Sequence, residues 1–276
     1  MSTQTMSNNS NSNADKLAFE RIRQWLNKSC GMHYPERKQA LLEQRLRRVC
    51  NAENFSSFEE LADVLEQGHS FDVQSTVISA AATNHTYFFR EPLVLNYFRD
   101  VILPALGNEA RIWSAAASTG DEAYTIAIIA AEAKGIEWVK NNLSILGTDI
   151  DKHVIAHAEK GIYRENALEN TPDLIIRHYF DALNNGQYRV NKHLCRACTF
   201  RRLNLKTQPY PFNNKFDVVF CRNVLYYFDE VHQKQVLENI YDVTKQGGWL
   251  ITSVTVSLRH LNTRWVNIVG SVYRKL

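Results

Sequence analysis

The chain has 276 residues, of which 45% are hydrophobic and 22% charged, and its formal net charge at pH 7 is +3. Such a composition is typical of folded globular proteins, and a net charge this small gives no support for nucleic-acid binding. Because no apolar run approaches the roughly 18 residues that cross a bilayer and the N-terminus lacks a basic-then-apolar signal pattern, we expect a cytoplasmic protein without membrane insertion.

The first part of the chain is helical in pattern. Residues 1–13 consist mostly of Ser, Asn, Thr and Gln, which predicts a disordered tail. Apolar residues then recur at helical spacing over residues 14–83 and predict a small helical N-terminal domain. Its second helix, at about residues 36–50, has more basic than acidic residues. The acidic residues are Glu36 and Glu43, and the basic residues are Arg37, Lys38, Arg45, Arg47 and Arg48. This excess indicates either a solvated helix face or a docking surface for an acidic partner.

A short segment that breaks the helical pattern follows at residues 83–91, TNHTYFFRE. It combines hydrogen-bonding residues, three consecutive aromatic residues and an arginine in front of Pro92. A helical pattern resumes at Val94 and stops at Leu106. We therefore expect residues 84–107 to form an ordered linker and a connecting helix.

Residues 110–122, ARIWSAAASTGDE, are typical of the first strand, turn and helix of a nucleotide-binding α/β domain. The small side chains of the turn let backbone N–H groups approach a ligand, whereas Asp121 and Glu122 would repel a phosphate. A cationic or zwitterionic cofactor such as S-adenosylmethionine fits better. Asp149, near the end of the next predicted strand, is placed to accept hydrogen bonds from ribose hydroxyls. Ordinary close packing of the helix on the strand would also account for the small residues.

Strands and helices alternate over the rest of the chain. The predicted helices lie at residues 121–134, 151–161, 172–180 and 230–245, and the predicted strands at residues 143–150, 199–205, 216–221, 249–254 and 272–273. This alternation predicts an α/β domain over residues 108–276, with a mostly parallel sheet wound on both faces. Turn residues and β-formers between Gly186 and Phe200 predict a small inserted hairpin.

The five cysteines are scattered along the chain, which is typical of reduced thiols, and they are Cys30, Cys50, Cys195, Cys198 and Cys221. Cys195 and Cys198 form a CxxC motif, but neither a second pair nor a nearby pair of histidines completes a zinc site. We therefore expect no metal.

Five separated motifs carry a resemblance to a known family. They are TNHTYFFRE, IWSAAASTGDEAYTIA, GTDID, FRRLNL and FDVVFCRNVLYYFD, the last with QGGWL downstream. In order and spacing they resemble the chemotaxis receptor methyltransferases, the CheR family, over nearly the whole chain after the tail. The resemblance implies a Rossmann-like class I methyltransferase domain that uses S-adenosylmethionine, an all-α N-terminal domain and a small β-hairpin subdomain at about residues 183–200.

The activity that the resemblance implies is that of a protein-glutamate O-methyltransferase. Such an enzyme transfers a methyl group from S-adenosylmethionine to glutamate carboxylates of bacterial chemoreceptors, and the products are glutamyl methyl esters and S-adenosylhomocysteine. The implied partners are the cytoplasmic helices of the receptors, which would meet the basic helix at residues 36–50, and a receptor C-terminal peptide at the β subdomain. We expect a monomer that binds no nucleic acid.

The resemblance also assigns site residues. Its cofactor contacts are Asn84, Thr86, Arg90, Glu122, Asp149, Asn204, Leu205, Arg222 and Asn223. Arg90 and Tyr227 would lie nearest the transferred methyl group and are the implied catalytic residues. Since a glutamate carboxylate is already ionised at pH 7, the acceptor needs no general base, and catalysis is mainly alignment. Arg90 is able to hold a carboxylate through two parallel N–H bonds; the alternative is a salt bridge from Arg90 to Glu91 or Asp121. Tyr227 either points its hydroxyl at the site or belongs to the core.

The chain departs from the family pattern in the turn, where Ala116 and Ala117 replace a Gly-Cys pair and Ala123 replaces a proline. If position 116 requires a positive φ angle, the backbone there is strained and cofactor affinity falls. A receptor-docking module that binds S-adenosylmethionine with little turnover is therefore one alternative. A nucleic-acid methyltransferase is the other, suggested by the basic helix, but residues 221–224 lack the Asn/Asp-Pro-Pro-aromatic element of amino-methylating enzymes.

Overall fold

The structure is a computed structural model in which residues 4–254 and 256–276 are described, with side chains from residue 14 onward. Contacts between Cα atoms divide the chain into two compact units. One is Met1–Thr83 with Tyr227–Asp229, and the other is Asn84–Tyr226 with Glu230–Leu276. The chain passes from the first unit to the second after Thr83.

The first unit is helical in its described residues. Its α-helices are α1 (Gln4–Cys30), α2 (Gln39–Glu53), α3 (Phe58–Gln67) and α4 (Phe71–Ala81), and Glu36–Lys38 forms a 3-10 turn before α2. The hydroxyls of Ser57 and Ser70 accept hydrogen bonds from backbone N–H groups in the first turns of α3 and α4, so each serine caps a helix start. Apolar residues at helical spacing, among them Leu42, Leu46 and Leu61, form the buried face of these helices.

Helix α1 begins at Gln4, inside the segment for which the sequence predicts a disordered tail. Residues 1–3 lie outside the described residues, and no side chain before residue 14 is described. The disordered tail therefore stays a prediction.

The second unit is built on two sheets. Its strands are β1 (Ala110–Ser114), β2 (Leu143–Asp149), β3 (Ile162–Arg164), β4 (Phe180–Leu183), β5 (Gln187–Val190), β6 (Cys198–Arg202), β7 (Phe216–Cys221), β8 (Thr244–Thr252), β9 (Val266–Val269) and β10 (Val272–Arg274). The larger sheet has the order β6-β2-β1-β7-β8-β10-β9. All pairs from β6 to β8 are parallel, and β10 is antiparallel to both of its neighbours. The mostly parallel sheet predicted from the alternation of elements is confirmed.

Helices connect the strands of this unit. They are α5 (Pro92–Tyr97), α6 (Leu103–Ala105), α7 (Asp121–Lys134), α8 (Ile136–Asn142), α9 (Lys152–Lys160), α10 (Asp173–Tyr179), α11 (Lys192–Ala197) and α12 (Glu230–Asp242). A π-helical turn, Phe98–Ile102, joins α5 to α6 in one continuous helix. Helix α7 is buried along most of its length because it packs against α8, α11 and the strands β2 and β6.

The smaller sheet is antiparallel and has the order β3-β5-β4. It differs from the hairpin predicted at about residues 183–200, because β4 and β5 turn at Asn185 and Gly186, which both have φ angles of 65°. The later part of the predicted hairpin is helix α11. The Asn191 side chain caps the start of this helix by accepting a hydrogen bond from the backbone N–H of His193.

The helix predicted at residues 230–245 ends earlier, at Asp242, and strand β8 begins two residues later. Gly248, which the sequence places at the helix end, lies inside β8, where the register with β7 shifts. A Cβ atom at Gly248 would lie 2.8 Å from the carbonyl oxygen of Lys245 and 3.0 Å from that of Asp217. The glycine therefore marks a bulge in the strand and not the end of a helix.

Candidate functional site

The predicted cofactor residues follow the ends of neighbouring strands. Strands β2, β1 and β7 are adjacent and parallel, so their carboxyl ends lie at one edge of the large sheet. Asp149 ends β2, and Arg222 and Asn223 follow β7 directly. Glu122 lies in the first turn of α7, after the turn that leaves β1. The fold therefore brings these four residues to the same end of the sheet.

The turn between β1 and α7 bends at Ser118 and Gly120, whose φ angles are 48° and 94°. A Cβ atom at Gly120 would lie 2.9 Å from both the Ala158 Cβ and the Tyr163 hydroxyl oxygen, so the turn requires glycine here. Ala116, by contrast, has no positive φ angle. The strain considered for a Gly-to-Ala change at position 116 is therefore absent, which removes that reason to expect weak cofactor binding.

The Asp149 carboxylate lies at the end of β2, and the residue is only 9% exposed. One oxygen accepts a hydrogen bond from the backbone N–H of Ser118 at 2.9 Å, and the other from that of Asp151 at 3.1 Å. Burial nevertheless raises the pKa of Asp149 to about 6. Because each carboxylate oxygen has two lone pairs, an ionised Asp149 is able to hold the turn and also to accept hydrogen bonds from ribose hydroxyls.

Glu122 and Arg222 form a buried ion pair, with 2.9 Å between Glu122 Oε2 and Arg222 Nη1. The Oε1 atom of Glu122 accepts a hydrogen bond from the Ser114 hydroxyl at 2.7 Å. The Arg222 side chain is 3% exposed, and its Nε–H has no hydrogen-bond partner among the described residues. The structure thus places a buried cation that fixes Glu122, and a direct contact of Arg222 with the cofactor stays a prediction.

Asn84 connects the start of the linker to two neighbouring segments. Its side-chain amide donates a hydrogen bond to the Asp151 carboxylate at 2.8 Å, and its backbone carbonyl oxygen accepts one from the Ser118 hydroxyl at 3.3 Å. Asp151 in turn caps α9 by accepting from the backbone N–H of His153. Thr86 is half-buried in the same linker. Asn84 therefore supports the turn after β1, and cofactor contacts by Asn84 and Thr86 stay predictions.

Arg90 is a half-buried residue, and its guanidinium donates a hydrogen bond to the backbone carbonyl oxygen of His85 at 2.7 Å. It also lies over the ring of Tyr87, at 5.8 Å from the ring centroid. Neither salt bridge considered from the sequence forms, since Glu91 and Asp121 have other partners. Within the described part of the chain Arg90 has no ion-pair partner, so its charge is available to a carboxylate.

The motif-based prediction omits Glu91, which the structure places beside Arg222. The Glu91 carboxylate lies 3.3 Å from Nη2 of Arg222 and accepts hydrogen bonds from the Asn223 side-chain amide and the Val254 backbone N–H. Glu91 thereby ties the linker to the loops that follow β7 and β8. The signal in the sequence is its position directly after Arg90, at the end of the TNHTYFFRE motif.

The remaining predicted site residues are Asn204, Leu205 and Tyr227. Asn204 and Leu205 follow β6, where the Asn204 side-chain oxygen accepts from the backbone N–H of Lys206 at 3.0 Å and Leu205 is buried. Tyr227 belongs to the helical unit, in which its hydroxyl donates to the carbonyl oxygen of Thr83 at 3.2 Å. The cofactor and catalytic roles of these three residues stay predictions.

The basic residues of the helical unit differ in their availability. Arg45 donates hydrogen bonds to backbone carbonyl oxygens at the end of α4, at 3.1–3.3 Å, and Arg47 pairs with Glu43 at 2.7 Å. Both side chains thus stabilise the unit itself. Arg37, Lys38 and Arg48 are exposed, and so is Arg47 beside its ion pair with Glu43. Arg37, Lys38 and Arg48 are the candidates for a docking surface.

The structure offers neither a reactive thiol pair nor a metal cluster in the part of the chain that it describes. The five cysteines, all of which are described, form no disulfide. Burial raises the pKa of both Cys195 and Cys198, so these thiols stay protonated at neutral pH. Among the described residues no group of three or more His, Cys, Asp or Glu side chains could hold a metal ion. Nor does any helix in residues 4–254 or 256–276 have the length and apolar character to cross a membrane.

Comparison with known proteins gives matches over both units. The family model "CheR methyltransferase, SAM binding domain" matches residues 84–273, and "CheR methyltransferase, all-alpha domain" matches residues 17–75. The chain is 32% identical to a chemotaxis protein methyltransferase of Borreliella burgdorferi, over 100% of each chain. It is 31% identical to that of Escherichia coli, over 92% of this chain and 89% of the relative. It is 32% identical to chemotaxis protein methyltransferase 1 of Pseudomonas aeruginosa, over 95% and 98% of the two chains.

Proposed function

Because the chain belongs to the CheR methyltransferase family, whose S-adenosylmethionine-binding domain spans residues 84–273, we propose that it methylates glutamate side chains of chemoreceptors in the bacterial cytoplasm. Each transfer converts a carboxylate into a neutral methyl ester, which serves adaptation in chemotaxis, and leaves S-adenosylhomocysteine. The observation that carries the choice of acceptor is that the described residues provide no ion-pair partner for the guanidinium of Arg90.

The side chains at the strand ends fit this cofactor. Asp149 keeps lone pairs for the ribose hydroxyls, and Glu122 brings a carboxylate to the end of the sheet, where the sulfonium and amino charges of the cofactor need one. When bound, the cofactor supplies a methyl group on positively charged sulfur, which is open to attack by an oxygen nucleophile. The residues proposed to complete the site are Asn84, Thr86, Asn204, Leu205, Arg222 and Asn223.

The chemistry asks little of the protein beyond alignment. The acceptor carboxylate is ionised at neutral pH, so no side chain has to remove a proton. Arg90 would hold this carboxylate through two parallel N–H bonds and turn one oxygen toward the methyl carbon. Alignment of this kind supplies several kcal/mol, up to about 7–11 in the best cases. Tyr227 is the second residue proposed near the methyl group.

The proposed partners are acidic receptor segments. Glutamate-rich receptor helices would meet the exposed Arg37, Lys38 and Arg48, a match of charge that raises the rate of encounter more than the affinity. A receptor C-terminal peptide would add to the small sheet, in which β3 and β4 are the edge strands. We propose that the enzyme acts as a monomer.

Methyl transfer from S-adenosylmethionine labelled in its methyl group to purified receptor cytoplasmic fragments tests the proposal. We expect labelled fragments from which alkali releases labelled methanol, because carboxyl methyl esters hydrolyse in base whereas N-methyl groups do not. Alkali-stable label would overturn glutamate as the acceptor. Binding of S-adenosylhomocysteine without any transfer would favour the docking module, although the strain at Ala116 that motivates that alternative is absent.

A further inference from the structure

A buried network of charges joins the end of the linker to the loops after β7 and β8. The Glu91 carboxylate lies 3.3 Å from Nη2 of Arg222. It also accepts a hydrogen bond from the Asn223 side-chain amide at 3.1 Å and one from the backbone N–H of Val254 at 3.3 Å. Since the Glu91 side chain is only 15% exposed, its charge is balanced mainly by these protein groups and not by water.

Arg222 connects Glu91 to the backbone of Arg90. Its Nη2 donates a hydrogen bond to the backbone carbonyl oxygen of Arg90, and its Nη1 pairs with Glu122. One buried guanidinium is thus shared between two carboxylates and one carbonyl oxygen. Because a buried cation needs its counter-charges, loss of the charge at Glu91 would draw Arg222 toward Glu122 and weaken its bond to the Arg90 carbonyl.

The backbone at this corner has an unfavourable conformation. Glu91 has φ 58° and ψ 67°, in the left-handed region, and Pro92 follows as the first residue of α5. A glutamate adopts this conformation only where the surrounding contacts hold it there. The contacts of Glu91 therefore fix the direction in which the chain passes from the linker into α5, and with it the start of the Arg90 side chain.

The network also separates two neighbouring charges of opposite sign. Glu91 and Arg90 are adjacent in the chain, and an ion pair between them would remove the cation from the site. Instead Glu91 pairs with Arg222, whereas the Arg90 guanidinium donates to the His85 carbonyl oxygen. The pairing of Glu91 with Arg222 thus keeps Arg90 available for a carboxylate.

We propose that Glu91 is a positioning residue for methyl transfer, which orients Arg90 through Arg222 without touching substrate or cofactor itself. This inference rests on the proposed function, in which Arg90 holds the acceptor carboxylate.

A double-mutant cycle of Glu91→Gln and Arg90→Ala, read as kcat/KM for methyl transfer to receptor fragments, tests the coupling. Gln has nearly the shape of Glu but no charge. With Arg90 present, Glu91→Gln should lower kcat/KM by about tenfold or more, and in the Arg90→Ala background by less than about twofold. The dissociation constant for S-adenosylhomocysteine is measured in parallel, because Arg222 and Asn223, which contact Glu91, are proposed cofactor contacts. A loss of cofactor affinity as large as the loss in kcat/KM would overturn a role of Glu91 on the acceptor side. Equal losses in both backgrounds would overturn the proposal.

Two further variants separate positioning from general loss of structure. Glu109→Gln removes the charge of an exposed glutamate ahead of β1 and should leave kcat/KM unchanged. Glu91→Asp keeps the charge and should recover part of the activity that Glu91→Gln loses. If Glu91→Gln does not fold, the cycle is run with Glu91→Asp, and equal losses in the two Arg90 backgrounds again count against the proposal.

A readout that needs no methyl transfer is hydrogen exchange of the backbone amides at residues 84–91. Exchange should be faster in Glu91→Gln than in the wild type and unchanged in Glu109→Gln. Unchanged exchange in Glu91→Gln would overturn the positioning role. If exchange changes as expected but the wild type transfers no methyl group to any receptor fragment, the proposed function fails while the contact of Glu91 with the linker stands.

Discussion

Two effects of opposite sign act on the pKa of the Asp149 carboxylate. Burial raises its pKa to about 6, whereas hydrogen bonds from ribose hydroxyls stabilise its ionised form. Cofactor binding should therefore weaken as the pH falls below this pKa, by about tenfold between pH 7.5 and pH 5. Calorimetric titration with S-adenosylhomocysteine over this range measures the change in dissociation constant.

Two variants test whether Asp149 is the residue whose protonation weakens cofactor binding. Asp149→Asn should bind weakly at every pH in the range, because an amide does not titrate. Asp121 is a matched control, since burial also raises its pKa to about 6 while its carboxylate, in a residue 1% exposed, accepts from the Thr119 hydroxyl. Asp121→Asn should keep the wild-type pH profile. If the profile survives in Asp149→Asn, another group controls cofactor binding.

At Arg90 one substitution separates the effect of the positive charge from that of the hydrogen-bond geometry of the guanidinium. Arg90→Lys keeps the positive charge but loses the two parallel N–H donors. We expect kcat/KM to fall by about a hundredfold, while the affinity for S-adenosylhomocysteine changes by less than about threefold. Steady-state kinetics and calorimetry measure the two quantities. Equal losses in both would place the Arg90 guanidinium on the cofactor and not on the acceptor carboxylate.

Among the elements, the turn between β1 and α7 depends most on one glycine. Gly120→Ala would force an alanine to φ 94° and place its Cβ 2.9 Å from the Ala158 Cβ. The left-handed conformation and the close contact together should lower the free energy of unfolding by about 2–4 kcal/mol, measured by urea denaturation. Gly186→Ala is the control, because Gly186 has φ 65° but no atom within 4 Å of an added Cβ. Its cost should be only about 1–2 kcal/mol, and equal costs would mean that packing at Gly120 contributes nothing.

The longer elements were predictable because each carries its own local signal. Helix α7 has the predicted bounds, since Gly120 precedes its first residue and Gly135 follows its last. Strand β7 also has the predicted bounds, because it is a nearly continuous buried apolar run. The exposed edge strand β9 was not predicted, because all four of its residues are exposed and leave no pattern of burial to recognise.

The site was predictable only as far as its motifs extend. The residues at the strand ends were identified from the motifs, but the role of Glu91 depends on Asn223 and Val254, which lie 132 and 163 residues further along the chain. No local pattern shows which residues of distant elements meet. At Ala116 the motif misled in the other direction, because a departure from it predicted a strained backbone that is absent there. The residue of this turn with a positive φ angle and a side chain is Ser118.

For the molecule as a whole, the distribution of charge matters more than its sum. The net charge of the chain is +3, and residues 36–50, which comprise the 3-10 turn and most of α2, alone have five basic and two acidic residues, an excess of 5 − 2 = 3. Arg45 and Arg47 are held by contacts inside the helical unit. We therefore assign steering of an acidic receptor mainly to Arg37, Lys38 and Arg48, and it should weaken as ionic strength rises.

Reversal of two of these charges, in Arg37→Glu with Arg48→Glu, should lower kcat/KM for receptor fragments by about tenfold at low salt, mainly through KM. The same variant should show a flatter salt dependence, because the charges that salt screens are gone. Lys215→Glu with Lys234→Glu changes the net charge equally, at exposed lysines of the other unit, and should have a much smaller effect. Because charges act only over about 10 Å at 0.1 M salt, equal losses from the two pairs would mean that residues 36–50 carry no local docking surface.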